Sequence, residues 1–236
     1  MNDIKQVPVV ELKDVTRTYR QGDVDVNALR GLTLTINKGE FTAVCGPSGS
    51  GKTTILNIIG ALDVASSGKV SVEGKDLSSL NRRELSIMRR DSIGFVFQAY
   101  NLIPVLTAYE NAEIVMSLQG IAADERRNRV MDLLSEVGLE GMEDRKPHQL
   151  SGGQQQRIAI ARAIAANPAV ILADEPTANV DSDTADKLLD IMETLNRKRG
   201  VTFIFSTHDP KVMDRARRIV RLIDGRVVID ENRKNN

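Results

Sequence analysis

Gly46, Pro47, Ser48, Gly49, Ser50, Gly51, Lys52 and Thr53 carry the spacing G-x-x-x-x-G-K-[ST], the composition needed to hold a polyphosphate. A triphosphate is densely anionic and must be met by inward-pointing backbone N–H groups, which glycines permit through positive φ and close approach. The loop lies between the apolar run Phe41–Cys45 and the helix-like run Thr54–Ile59. The helix adds unpaired N–H groups and a dipole end worth about +0.5 charge. In that order Lys52 reaches the β/γ-phosphates, the Thr53 hydroxyl is placed to ligate Mg²⁺, and Thr54 continues the nucleotide-binding turn. The bland alternative is a glycine-rich turn with an incidental lysine.

Two further constellations could do chemistry beside such a loop. The apolar strand Val170–Ala173 ends in Asp174 and Glu175 and is stopped by Pro176, and parallel α/β sheets place ligands at the carboxyl ends of their strands. Asp174 suits a role on Mg²⁺, and Glu175, pointing elsewhere, suits accepting a proton from an attacking water. A solvated Asp-Glu turn is the alternative. In the segment Leu150–Arg162, Ser151 stands three residues before Gln154, the capping-box spacing at a helix start. Gly152 and Gly153 leave that first turn bare, so hydroxyl and N–H groups there form a second anion site, or else simply a well-capped helix.

These residues need a scaffold, and 236 residues provide one large α/β domain or a core with a smaller subdomain. Val9–Val15 and Leu32–Ile36 alternate at period two and predict antiparallel strands, with a turn at 37–39; Lys69–Glu73 predicts another strand. Asn81–Arg90 predicts a short helix before the strand Ser92–Phe97, and residues 107–166 have helical spacing with a stripe at Val130, Leu133, Leu134 and Val137. Val170–Ala173 and Val201–Phe205 predict parallel strands around a helix at Ser182–Arg199. Ile219–Ile223 and Arg226–Ile229 predict a terminal hairpin, and 232–236 a frayed tail.

Lys+Arg and Asp+Glu balance at 32 each, so no basic field points to nucleic acid. The single cysteine, Cys45, lies in an apolar strand and is expected to be a buried filler in a reducing compartment. No apolar h-region stands at the N-terminus, and no run reaches the roughly 18 apolar residues of a membrane-spanning helix. The chain is expected to be soluble. The stretches Arg126–Arg129 and Arg215–Arg218 are expected to be solvated helix faces, and His148 a surface loop residue.

Loop, Ser151–Gln154 segment and Asp174-Glu175, in this order, resemble the ATP-binding subunit of ATP-binding cassette (ABC) transporters over nearly the whole chain. The resemblance implies a P-loop NTPase core of RecA-like α/β type, with an antiparallel β subdomain and a helical subdomain insertion. It implies one domain over 1–236, with 1–97 and 167–236 as core and 98–166 as insertion. It assigns Tyr19 to adenine stacking, Gln98 to Mg²⁺ or water at the junction with the insertion, Ala178–Asp181 to the D-loop, and His208 to the γ-phosphate and water. The structural alternatives are a strand-end aromatic for Tyr19 and an ordinary loop amide for Gln98. Residues 178 and 180 are Ala and Val, where this branch usually has glycine and leucine.

Phe95–Asn111 and Tyr19–Gly31 are similar to the ATPases of lipoprotein-releasing and macrolide-exporting systems, and the division ATPase that signals to cell-wall hydrolases is also similar. The resemblance implies ATP and Mg²⁺ as cofactors and a second copy of the chain as partner. Ser151, Gly152 and Gly153 of one copy would close over the γ-phosphate held by Lys52 of the other. A membrane permease would be the other partner, putting the chain on the cytoplasmic face of the membrane. A soluble cassette ATPase of DNA repair or translation is the rival, disfavoured by one cassette, one cysteine and balanced charge. A scaffold that never turns over is disfavoured by Glu175 and His208.

Overall fold

A long, bulged hairpin opens the chain in the computed structural model, which describes residues 8–233. β1 (Pro8–Gln21) pairs antiparallel with β2 (Val24–Asn37), and both outrun the predicted strands. The register shifts between Leu12 and Val15 and again between Arg17 and Thr18, with Asp14 at φ 51°. Each bulge changes which side chains face inward, so the period-two pattern breaks while the pairing continues.

The chain continues through β3 (Phe41–Cys45), α1 (Lys52–Ile59), β4 (Ser67–Val72), β5 (Lys75–Asp76), α2 (Arg82–Ser92) and β6 (Ile93–Phe97). Three helices follow, α3 (Ala108–Leu118), α4 (Ala123–Glu136) and α5 (Gly152–Ala165), before β7 (Val170–Asp174). The end comprises α6 (Ser182–Arg199), β8 (Phe203–Thr207), α7 (Pro210–Arg215), β9 (Arg218–Ile223) and β10 (Arg226–Asn232). β2-β1-β4-β5 form one antiparallel sheet; β10-β9-β3-β8-β7-β6 form the other, parallel except for β10.

Alternation along the parallel strands divides the interior into two cores. Phe41, Ala43, Phe203, Phe205, Ile171 and Ala173 pack with residues of α3, α4, α5 and α6 on one face. Val44, Ile204, Val170, Leu172 and Leu222 pack on the other face, with Ile55 and Ile59 of α1 and the buried side of the first sheet. Both faces of the strands are dry, which is why they read as continuous apolar runs. Cys45 is buried there.

Two expectations need correction. α7 ends at Arg215, and Arg218 starts β9 with its side chain only 12% exposed, paired with Glu40 at 2.8 Å and Asp230 at 2.7 Å. It ties the strand to its neighbours and is no solvated helix face; Arg126, bonded to Glu113 at 2.8 Å, is likewise held against α3. The frayed tail fails at its start: Asn232 pairs with Arg218, and Arg233 N–H donates to the Arg217 carbonyl at 2.7 Å. Residues 234–236 lie outside the described residues. His148 is exposed in a short 3₁₀ turn, as expected.

Candidate active site

At the carboxyl end of β3 the backbone takes a path closed to most residues. Gly46, Gly49 and Gly51 have φ of 151°, 78° and 102°. A Cβ on Gly46 would run into the Leu222 carbonyl oxygen, and one on Gly51 would stand 2.7 Å from the Ala28 oxygen. Behind the loop, Gly225 of the terminal hairpin donates to the Ser50 carbonyl at 3.1 Å and accepts from Arg30 N–H at 3.0 Å. The hairpin therefore buttresses the phosphate loop. Lys52 Nζ donates to the carbonyls of Gly46 at 2.9 Å and Pro47 at 3.0 Å, which holds a cation in the cradle.

β7 and β8 deliver the acidic side. Asp174 Oδ1 lies 3.5 Å from Thr53 Oγ1. Glu175 departs from the strand at φ 45°, a left-handed conformation next to Pro176, whose ring disfavours the right-handed helical region for the residue before it. That turn is held by Glu175 N–H donating to the Ser206 carbonyl at 2.9 Å. Glu175 Oε2 accepts from the Thr207 hydroxyl at 3.1 Å, and Oε1 stands 2.6 Å from His208 Nδ1. The carboxylate is 16% exposed and the imidazole 76%, so a sheltered carboxylate meets an open ring. With its proton on Nδ1, His208 donates to Glu175 and keeps Nε2 for another partner.

A single cavity of about 640 Å³ is lined by the phosphate loop with Lys52 and Thr53, by Thr54, and by Gln98, Glu175 and His208. The phosphate loop, Gln98, Glu175 and His208, far apart in the chain, thus converge on one space. Ala28 and Ser206 also line it, though neither has a signature that sequence reading can use. Asp174 touches the site through Thr53. Tyr19 does not line the cavity: its hydroxyl donates to Asp63 at 2.6 Å and the Arg17 guanidinium lies 4.5 Å from its ring centre.

Ser151–Gln154 also stand away from this protomer's cavity. Ser151 Oγ accepts from Gln154 N–H at 3.3 Å, and Gln154 Oε1 accepts from Ser151 N–H at 2.8 Å, completing the expected capping box. A hydroxyl that accepts there still has its own proton to give. The glycines have a use beyond bareness. A Cβ on Gly152 would lie 2.7 Å from the Tyr100 hydroxyl, and one on Gly153 would collide with the Thr184 methyl. Packing inside the protomer is therefore sufficient reason for both.

Three side chains to which the sequence assigns no individual role, those of Tyr100, Asn179 and Arg162, connect these parts. Tyr100 Oη donates to the Asn179 carbonyl at 3.1 Å, Gln98 Nε2 donates to Asn179 Oδ1 at 3.2 Å, and Asn179 Nδ2 donates back to the Gln98 carbonyl at 2.9 Å. Arg162 of α5 donates to the carbonyls of Asn101 at 2.6 Å and Tyr100 at 2.9 Å. Tyr100 and Asn101 both have positive φ, 57° and 49°, so the guanidinium pins a turn that costs energy to form. Burial pulls the Arg162 pKa below its ordinary value.

The residues fit a Mg²⁺-nucleotide. The loop offers N–H groups and an ammonium to phosphates, and the Thr53 hydroxyl, the Asp174 carboxylate and the Gln98 amide oxygen are the groups that would hold the ion. Mg²⁺ needs few protein ligands because it retains waters and takes phosphate oxygens. When bound, the ion would supply positive charge against the charge developing on the transferred phosphoryl group.

Residues 29–178 match the family model described as ABC transporter. The chain is 48% identical over 224 residues to the lipoprotein-releasing system ATP-binding protein LolD of Anaeromyxobacter dehalogenans, covering 94% of each chain. It is 46% identical over 227 residues to the macrolide export ATP-binding/permease protein MacB of Hyphomonas neptunium, covering 96% of this chain and 35% of that one. It thus spans about a third of MacB's length. Among solved structures, the dimeric post-hydrolysis state of the ATP-binding cassette MJ0796 bound to ADP and Pi has a TM-score of 0.87 and 45% identity, covering 96% of this chain and 100% of that one. MJ0796 comes from Methanocaldococcus jannaschii. The P-loop NTPase fold, the converging site and these likenesses agree: the chain belongs to the ABC transporter family, as its ATP-binding and ATP-hydrolysing cassette.

Proposed function

We propose that this cassette works as a pair that clamps two ATP molecules and drives a separate membrane permease. The observation that carries the reading is a separation. Lys52, Glu175 and His208 share one cavity, whereas Ser151–Gln154 do not line it. The first N–H groups of a helix have no intrahelical acceptor, so those of Gly152 and Gly153, with the Ser151 hydroxyl, suit the γ-phosphate of a second copy. Such a closure completes each site only when both copies and ATP are present. The likeness to a dimeric cassette bound to ADP and Pi supports this arrangement.

Within each site, Glu175 accepts the proton of the attacking water, and His208 orients water and γ-phosphate. Thr53 and Asp174 hold Mg²⁺ with Gln98. Tyr19 stacks on adenine once Arg17 yields its ring face, and base–aromatic stacks are worth about 1–3 kcal/mol. Residues 1–97 and 167–236 serve as core and 98–166 as a helical insertion that moves with the permease. A groove of about 430 Å³ beside that insertion is lined by Leu62, Phe95, Phe97, Leu118, Arg89 and Arg90. A cytoplasmic helix of the permease fits it, apolar along the floor and acidic at the basic rim.

None of the described helices is long and apolar enough to cross a membrane. Attachment to the cytoplasmic face is assigned, in this reading, to the permease. The relatives named for lipoprotein release and macrolide export make those the cargo classes to test first. Glu175→Gln is expected to retain ATP binding, lower turnover by about 10²–10⁴-fold and accumulate an ATP-bound dimer in size-exclusion chromatography. Undiminished hydrolysis, or a monomer throughout, overturns the reading.

A further inference from the structure

Gln156 is completely buried in α5, yet none of the roles above uses it. Its Nε2 donates to the Pro176 carbonyl at 2.6 Å and, more weakly, to that of Phe97 at 3.4 Å. Phe97 immediately precedes Gln98, and Pro176 immediately follows Glu175. The strands that end there, β6 and β7, are neighbours, with Phe97 paired to Asp174. A single amide thus ties the helix that begins at Gly152 to both strand ends that deliver the proposed catalytic groups.

The other half of the amide indicates what selects glutamine. Oε1 is buried with no hydrogen-bond partner among the described residues, and leaving a buried acceptor unpaired is costly. Reversing the amide would set its oxygen against two carbonyl oxygens, so the donors hold its orientation. An unbranched apolar side chain would fill the same space without the unpaired oxygen. Packing alone therefore does not account for this residue.

We propose that Gln156 is a positioning residue that locks the Ser151–Gly153 helix start in register with Gln98 and Glu175, so that movement of the helical insertion displaces both. The inference rests on the roles assigned under the proposed function. It adds a cross-tie within one protomer to the closure between two.

The test compares wild type, Gln156→Met and Gln156→Glu, following ATPase kcat and KM with circular dichroism from about pH 6 to 9. A neutral glutamic acid has one O–H to give to the Pro176 carbonyl, whereas a carboxylate has none, and burial favours the neutral form. Gln156→Met is expected to lose about 10-fold or more in kcat at every pH, with KM for ATP changed by less than about 3-fold. Gln156→Glu is expected to approach wild type at low pH and lose kcat reversibly as pH rises, with its ellipticity unchanged. Folded Gln156→Met with wild-type kcat overturns the proposal. So does a Gln156→Glu profile parallel to wild type, or one in which turnover and ellipticity fall together. If Gln156→Met does not fold, the Gln156→Glu profile decides alone. Normal turnover in Glu175→Gln defeats the underlying role assignment instead, whatever the Gln156 variants do.

Discussion

The methyl group of Thr184 occupies the space that a Cβ on Gly153 would need. Thr184 is not free to turn away, because its N–H and hydroxyl both bond Asp181, at 3.0 and 2.7 Å. The start of α5 is thereby pressed against the first turn of α6. Gly153→Ala is expected to destabilise the fold by about 1–3 kcal/mol through overpacking. Thr184→Ser removes the methyl and keeps the hydroxyl, so the double variant should recover most of that loss in urea unfolding. Equal losses in the single and double variants would mean that Gly153 is not constrained by Thr184.

Arg162 holds two consecutive residues, Tyr100 and Asn101, in left-handed conformations through their carbonyls. Such conformations cost about 1–3 kcal/mol each for non-glycine residues and persist when the surroundings impose them. Arg162→Met should release the turn and weaken the Gln98–Asn179 exchange that follows from it. The expected result is a kcat about 10-fold lower, equivalent to about 1.4 kcal/mol, with Arg162→Lys intermediate because one ammonium cannot reproduce the planar fork. ATPase kinetics with thermal melting distinguishes this from global loss of structure.

The legible parts of this molecule are those whose chemistry is local in the chain. The phosphate loop is eight contiguous residues, and the Ser151–Gln154 box and the apolar stripe of the helix Ser182–Arg199 are likewise local in the chain. The long first hairpin was only half legible, because a bulge at Asp14 interrupts the alternation that reveals a strand. Arg162 gave no signal, since its acceptors lie 61 and 62 residues away. Gln156 reads as one more polar residue in a helix until the carbonyls of Phe97 and Pro176 are brought to it. Arg218 is not legible as a strand residue because the run of arginines straddles a helix end and a strand start. A glycine such as Gly153 is ambiguous in sequence, for bareness toward an anion and close packing require the same residue.

Thr53 Oγ1 and Asp174 Oδ1, 3.5 Å apart, make metal dependence a direct probe of the site. Asp174→Asn keeps the shape of the carboxylate and removes its charge, so the Mg²⁺ concentration for half-maximal ATPase activity should rise by about 10-fold or more. Chelation of Mg²⁺ should abolish turnover in wild type and variant alike, because the charge on the transferred phosphoryl group is then unneutralised. An unchanged Mg²⁺ requirement in Asp174→Asn would remove Asp174 from the metal site.

Asp181 caps α6 as a carboxylate, and its pKa is lowered from the ordinary value first by the Thr184 hydroxyl and then by the Thr184 N–H. A carboxyl whose folded pKa lies below its unfolded value adds stability that is fully present above the unfolded value, about 3.9. That contribution is lost as pH falls through the folded pKa. Asp181→Asn, a good neutral cap, cannot titrate. The wild type should therefore have the higher melting temperature near neutral pH, and the gap should close below about pH 4. Melting curves from about pH 2 to 7 measure it, and a gap independent of pH would show that the hydroxyl of Thr184 does not favour the charged form.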